Sequence, residues 1–221
     1  MSGFLSSVAG VLTYPEADYV SRVRVCIAAA EPEIRERLAP FAEQVCALSV
    51  EDAQELFTRT LDLNPVCSLE MGWHLFGENY DRGLLMVRMR NELRRHRIAE
   101  TGELPDHLSH ALPLLEHMER EEAEEFAAAI VVPALEKMLA AFAGKQNPYE
   151  HVLRAVMAHL EREFPGVRQV VSAHTALPVL NVDQNLTADL RGISRIEEAE
   201  KIPDDPRESA VRSFLPGRTH A

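Results

Sequence analysis

Apolar residues recur at steps of three and four from the first turns of this chain to residue 164, and that period dominates what it can fold into. Ile34, Leu38, Phe41, Val45 and Leu48 form the cleanest stripe. Such spacing stacks side chains on one face of an α-helix. The same pattern carries Phe4, Val8 and Val11 near the start, Ile130, Leu135 and Met138 later, and Val152, Val156, Leu160 and Phe164 last. No stretch alternates with the period of two that a half-buried strand requires, and no segment repeats at a fixed interval. The expected fold is all-α, a single-domain multi-helix bundle. Pro40, Pro113 and Pro133 fall inside helical stretches and should bend them, because proline removes a backbone donor and crowds the preceding turn.

Local punctuation divides the stripes into elements. Tyr14-Pro15 stops the first helix, since a residue before proline leaves the α region. Ser49 with Asp52 resembles a capping box with Asp in place of Glu, and Asn64-Pro65 ends the helix it starts. Gly77 and Gly83 bracket a turn, with Asp81 placed to cap a helix over 82–98. Pro105 suits a first helical position and Asp106 the favourable end of that helix's dipole. Gly144 and Pro165-Gly166 close the last two helices. Beyond residue 170 the periodicity lapses and prolines collect. The expected organisation is a helical domain over 1–168 and a mostly irregular tail over 169–221, with one short helix around Glu197 and an apolar patch at 176–180 that docks on the body.

Charge and composition narrow the function. At 221 residues the chain can bury a full core, and its formal net charge is −12. That balance disfavours nucleic acid and anionic membrane, and it suits a partner segment rich in Lys or Arg. No apolar run reaches the ~20 residues of a membrane span. The N-terminus lacks the basic flank of a secretory signal, and three scattered cysteines, Cys26, Cys46 and Cys67, cannot build a disulfide framework. The expected address is cytoplasmic. C-x-x-C, H-E-x-x-H, G-x-G-x-x-G, P-loop and Glu-x-x-His patterns are all missing. The nearest thing to a metal site is His107 with His110, three apart. Two ligands are too few for an ion, and both fit equally as hydrogen-bonding groups at a helix start. The acidic run at 119–125 reads as a solvated helix start.

One stretch, 70–118, gathers the only tryptophan, Trp73, the glycine-punctuated GENYDRG, a long basic helix and the abrupt LPDHL at 104–108. The order LFGENYDRGLLMV, then a helix, then ELPDHL leading into Leu115-Glu116, closely resembles the nitrate reductase delta-subunit chaperones. These belong to the wider class that matures molybdenum enzymes. VLTYP at 11–15 and QELFTRTLDL at 54–63 agree with that order, and the resemblance covers roughly 4–164. It implies one all-helical domain with no cofactor of its own. It further implies a partner: the apo catalytic subunit of a molybdoenzyme, bound through its N-terminal peptide until molybdenum cofactor is inserted. Pro105, Asp106 and His107, flanked by Leu104 and Leu108, are the binding turn it points to, with Trp73, Phe76 and Tyr80 as walls. The basic run at 90–97, RNELRRHR, departs from the pattern.

The physics of such a site is simple. An amphipathic peptide helix buries anchors at i, i+3, i+4 and i+7 in an apolar groove. Asp106 and the acidic surface would select a basic peptide end. The protein itself would be a monomer or weak homodimer. On this reading Asp106→Ala or His107→Ala weakens binding and leaves helical content nearly intact. The alternatives are a structural subunit of a redox complex and a metal-dependent helical enzyme using His107 and His110.

Overall fold

A computed structural model of the chain describes residues 3–168; the expected tail, its short helix and its docking patch lie outside the described residues. The described residues are mostly helical, as the periodicity requires. In order, the helices are α1 (Phe4–Val11), α2 (Tyr19–Ala29), α3 (Pro32–Val45), α4 (Val50–Phe57), α5 (Met71–Phe76), α6 (Tyr80–Arg95), α7 (Leu108–His117), α8 (Arg120–Phe126), α9 (Val132–Phe142) and α10 (Tyr149–Glu163). None is long and apolar enough to cross a membrane.

The core sits where α10 packs against α3 and α9, and where α1 lies between α2 and α7. Ile34, Leu38, Phe41 and Val45 are all buried, which is the α3 stripe turned inward. At the centre the buried Tyr19 hydroxyl donates to the Val11 carbonyl at 2.9 Å and accepts from Tyr149 at 2.8 Å. Two hydroxyls are thereby satisfied inside an apolar core, where an unpaired one would be costly. Burial pushes both phenols upward, so neither ionises in the working range.

The prolines act in two ways. Pro40 and Pro113 lie inside α3 and α7, which run through them. Pro133 instead follows a π-helical turn at Ala127–Val131, and α4 likewise passes into one at Thr58–Asp62. Widening the helix before Pro133 relieves the contact its ring would make with the carbonyl four residues earlier.

Several caps follow the sequence and several do not. Ser49 Oγ accepts from the Asp52 amide at 3.0 Å, the expected capping box. Gly77, at φ +60°, closes α5, and Gly144, at φ +76°, follows α9. The cap of α6 is Asn79, whose side-chain oxygen accepts from the Asp81 amide at 3.2 Å. Asp81 therefore sits in the first turn and Gly83 inside the helix, so the turn is shorter than the two glycines suggest. α7 begins at Leu108 with His107 as its cap. Pro105 and Asp106 precede the helix in a turn and do not start it.

Candidate functional site

The segment before α5 and the LPDHL turn are far apart in sequence, yet they pair. The Met71 amide donates to the Asp106 carbonyl at 2.9 Å and the Leu108 amide to the Leu69 carbonyl at 2.8 Å. Glu70 and His107 thus form an isolated antiparallel bridge. In extended backbone successive side chains alternate in direction, so one set turns inward and the other outward. Asp106 and Leu108 have no exposed surface. Glu70 and His107 line a cleft of about 430 Å³ together with Trp73, Leu61, Asp62 and Glu103, among others.

The inward residues hold the cleft in shape. Asp106 Oδ2 accepts from Arg82 Nε at 3.0 Å, while Oδ1 has no hydrogen-bond partner. The Arg82 guanidinium lies 5.8 Å from the centre of the Trp73 ring, within cation–π range. Gly72 makes room for this arrangement: a Cβ there would come within 2.6 Å of Asp106 Oδ2. A buried carboxylate, through one arginine, thereby fixes the tryptophan that walls the cleft.

Both histidines of the turn make structural hydrogen bonds. His107 Nδ1 accepts from the Ser109 amide at 3.2 Å and from the Ser109 hydroxyl at 2.7 Å, which leaves its proton on Nε2. Burial, with His110 alongside, pushes the His107 imidazolium down to about 4. His110 Nε2 accepts from the Thr101 amide at 3.1 Å, so Nδ1 donates to the Leu104 carbonyl at 3.0 Å. With both nitrogens of His110 committed, the pair cannot chelate an ion. Among the described residues no group of three or more His, Cys, Asp or Glu is placed to hold a metal.

The cleft's electrostatics come from three residues that carry no motif. Burial and the neighbouring Glu70 raise the Asp62 carboxyl above its ordinary value. Burial, Asp62 and Glu70 raise Glu103 likewise, against a smaller opposing effect of His110. Three carboxylates share one partly apolar cleft; burial is the main reason that Asp62 and Glu103 are perturbed, and a neighbouring carboxylate adds to it in each case. Next in the chain to the lining residues Asp62, Pro65 and Glu103 stand exposed apolar side chains: Leu63 at 75%, Val66 at 59% and Leu104 at 46%. The arrangement suits a cationic side chain flanked by apolar ones.

Of the residues singled out from sequence, Trp73 and His107 meet in the cleft, and Leu104 is exposed and follows the lining residue Glu103 in the chain. Pro105, Asp106 and Leu108 are buried and do not line the cleft, so their direct contact with a partner, and Asp106 as selector of a basic peptide end, do not fit this geometry; His107 is also buried, at 5% exposure, but lines the cleft. Phe76 packs partly against the core, and Tyr80 is exposed on α6; neither lines the cleft. Asp62, Glu70 and Glu103 were not singled out. Their only sequence signal was proximity to Asn64-Pro65, Trp73 and LPDHL, which many surface acids share. The basic run is partly neutralised, by Arg90 with Glu100 at 2.9 Å and by Arg95 with Glu92 and Glu122.

Residues 27–154, more than half of the chain, match the family described as nitrate reductase delta subunit. No curated protein matches it.

Proposed function

The chain belongs to the nitrate reductase delta-subunit family, and from that premise we propose that it is a cytoplasmic, non-catalytic chaperone for the apo catalytic subunit of a nitrate-reductase-like molybdoenzyme. It takes the subunit's N-terminal peptide and holds the subunit while molybdenum cofactor is inserted. The protein supplies no cofactor of its own. Peptide recognition is assigned to the cleft beside the LPDHL turn, with Trp73, His107 and Leu104 in contact. Asp106 acts from behind through Arg82.

The observation that carries this reading is the meeting of Asp62, Glu70 and Glu103 with Trp73 in one cleft. Partly buried carboxylates held close to other acids gain most from a fixed positive charge, so a Lys or Arg of the peptide is the natural occupant. The volume is in the usual range for ligand pockets (~300–1,000 Å³), room for one or two large side chains and not a whole helix. The rest of an amphipathic peptide would lie across Leu63, Val66 and Leu104, burying apolar anchors. Each anchor fully buried contributes about 1.5–3 kcal/mol before ordering costs.

Calorimetry tests it. The first ~15–20 residues of the host's own reductase catalytic subunit, a length that suits one helical peptide in a groove, should bind the full chain. Replacing the peptide's basic residues by Gln, or Glu70 by Gln here, should weaken binding roughly tenfold. Absence of binding by the peptide and by the full-length apo-enzyme alike would remove the proposal.

A further inference from the structure

The outer face of α6 remains unexplained by the cleft. Leu85, Met89 and Leu93 are its buried side, and among the described residues the helix packs chiefly on α5 and α7. Away from that side run Tyr80, Leu84, Val87, Asn91 and Arg94, at successive steps of four, three, four and three. This is the seam spacing of a two-helix coiled coil, three apolar positions followed by a polar Asn. Tyr80 is 71% exposed. Leu84 and Val87 are only partly covered and lie outside the hydrophobic core and its apolar neighbours. Beside the seam, Asp81 and Arg88 occupy the same flank one heptad apart, and neither has an ion-pair partner among the described residues.

We infer that this face pairs with the same face of a second copy of the chain, the two α6 helices running antiparallel. The charges select that occupant. A two-fold axis across the helix brings each copy's Asp81 against the other's Arg88, twice per interface, while Leu84 and Val87 of each copy meet at the centre. Asn91 of each copy then faces Tyr80 of the other, a polar pair at the seam's ends that fixes the register. The helix dipole alone favours acid at the start and base at the end. It gives no reason for an apolar stripe turned outward between them.

The seam is short, since sixteen residues span about 24 Å. Six apolar side chains in all make a small interface, and the dimer is weak, with a dissociation constant on the order of 100 µM. Tyr80, set apart from the cleft, belongs to this face.

Sedimentation equilibrium of the full chain from 10 µM upward to about ten times that constant tests the inference. The expected result is a mass rising from 24.8 kDa toward twice that value. Leu84→Asp should raise the dissociation constant by about tenfold or more, with the monomer still folding cooperatively because Leu84 is outside the core. Asp81→Arg should weaken association about threefold to tenfold, and Asp81→Arg with Arg88→Asp should restore it. A mass that stays at 24.8 kDa throughout overturns the inference. So does a dimer indifferent to Leu84→Asp, or a charge exchange that fails to restore what the single change lost.

Discussion

Asp106 carries a carboxylate with no exposed surface and one ion-pair partner, Arg82. Removing one member of such a pair strands the other charge in the interior, which costs about 3–5 kcal/mol. Arg82→Ala should therefore lower unfolding free energy by that order in urea melts, and Asp106→Ala should lower it too. The sequence-based expectation that Asp106→Ala spares the fold is thus replaced. His107 yields a second residue-level prediction. Its folded-state value of about 4 lies below the ordinary 6.5, so between those values the unfolded chain binds a proton that the folded chain refuses. The stability tied to His107 is complete above pH 6.5 and is lost as pH falls toward 4. His107→Asn keeps a side-chain acceptor for the Ser109 amide but cannot titrate. Thermal midpoints of that variant should fall less steeply than those of the parent across this window.

Single elements are held by side chains from distant parts of the chain. α1 has no cap of its own, and Gly3 offers no side-chain acceptor. Glu116, at the end of α7, accepts from the Leu5 amide at 2.7 Å and the Ser6 amide at 3.2 Å, capping α1 from across the bundle. Its carboxylate would collide with a Cβ at position 3, so the glycine is needed for this approach. Glu116→Ala should destabilise the protein by about 1–2 kcal/mol, seen as a lower urea midpoint with early loss of hydrogen-exchange protection in α1. Leu115-Glu116 contributed to the family resemblance, and here it has a mechanical meaning. The sequence also marked Pro133 as a disturbance. It gave no sign that the helix would answer with a π-turn, because the choice between bending and widening depends on neighbouring helices.

At the scale of the molecule, the cleft sets binding against stability. Asp62 and Glu103 bind protons more tightly folded than unfolded, so these carboxylates destabilise the fold increasingly as pH rises through their raised values. Asp62→Asn and Glu103→Gln should raise the thermal midpoint modestly while weakening peptide binding in calorimetry; a merely structural role would lower both. Residues 1–168 are proposed as the folding unit, since Phe164 and Val167 close the core. A chain ending at 168 should melt cooperatively near the full-length midpoint in circular dichroism. The helical fold, the α3 stripe and the Ser49 cap were all readable from the sequence. Each depends on spacing within a few residues, and local backbone geometry imposes that spacing wherever the chain goes. The inward turn of Asp106 and the gathering of Asp62, Glu70 and Glu103 were decided by tertiary structure. They depend on pairing residue 70 with 107, and a side chain's exposure and electrostatic neighbours are set by what packs against it, not by its place in the chain.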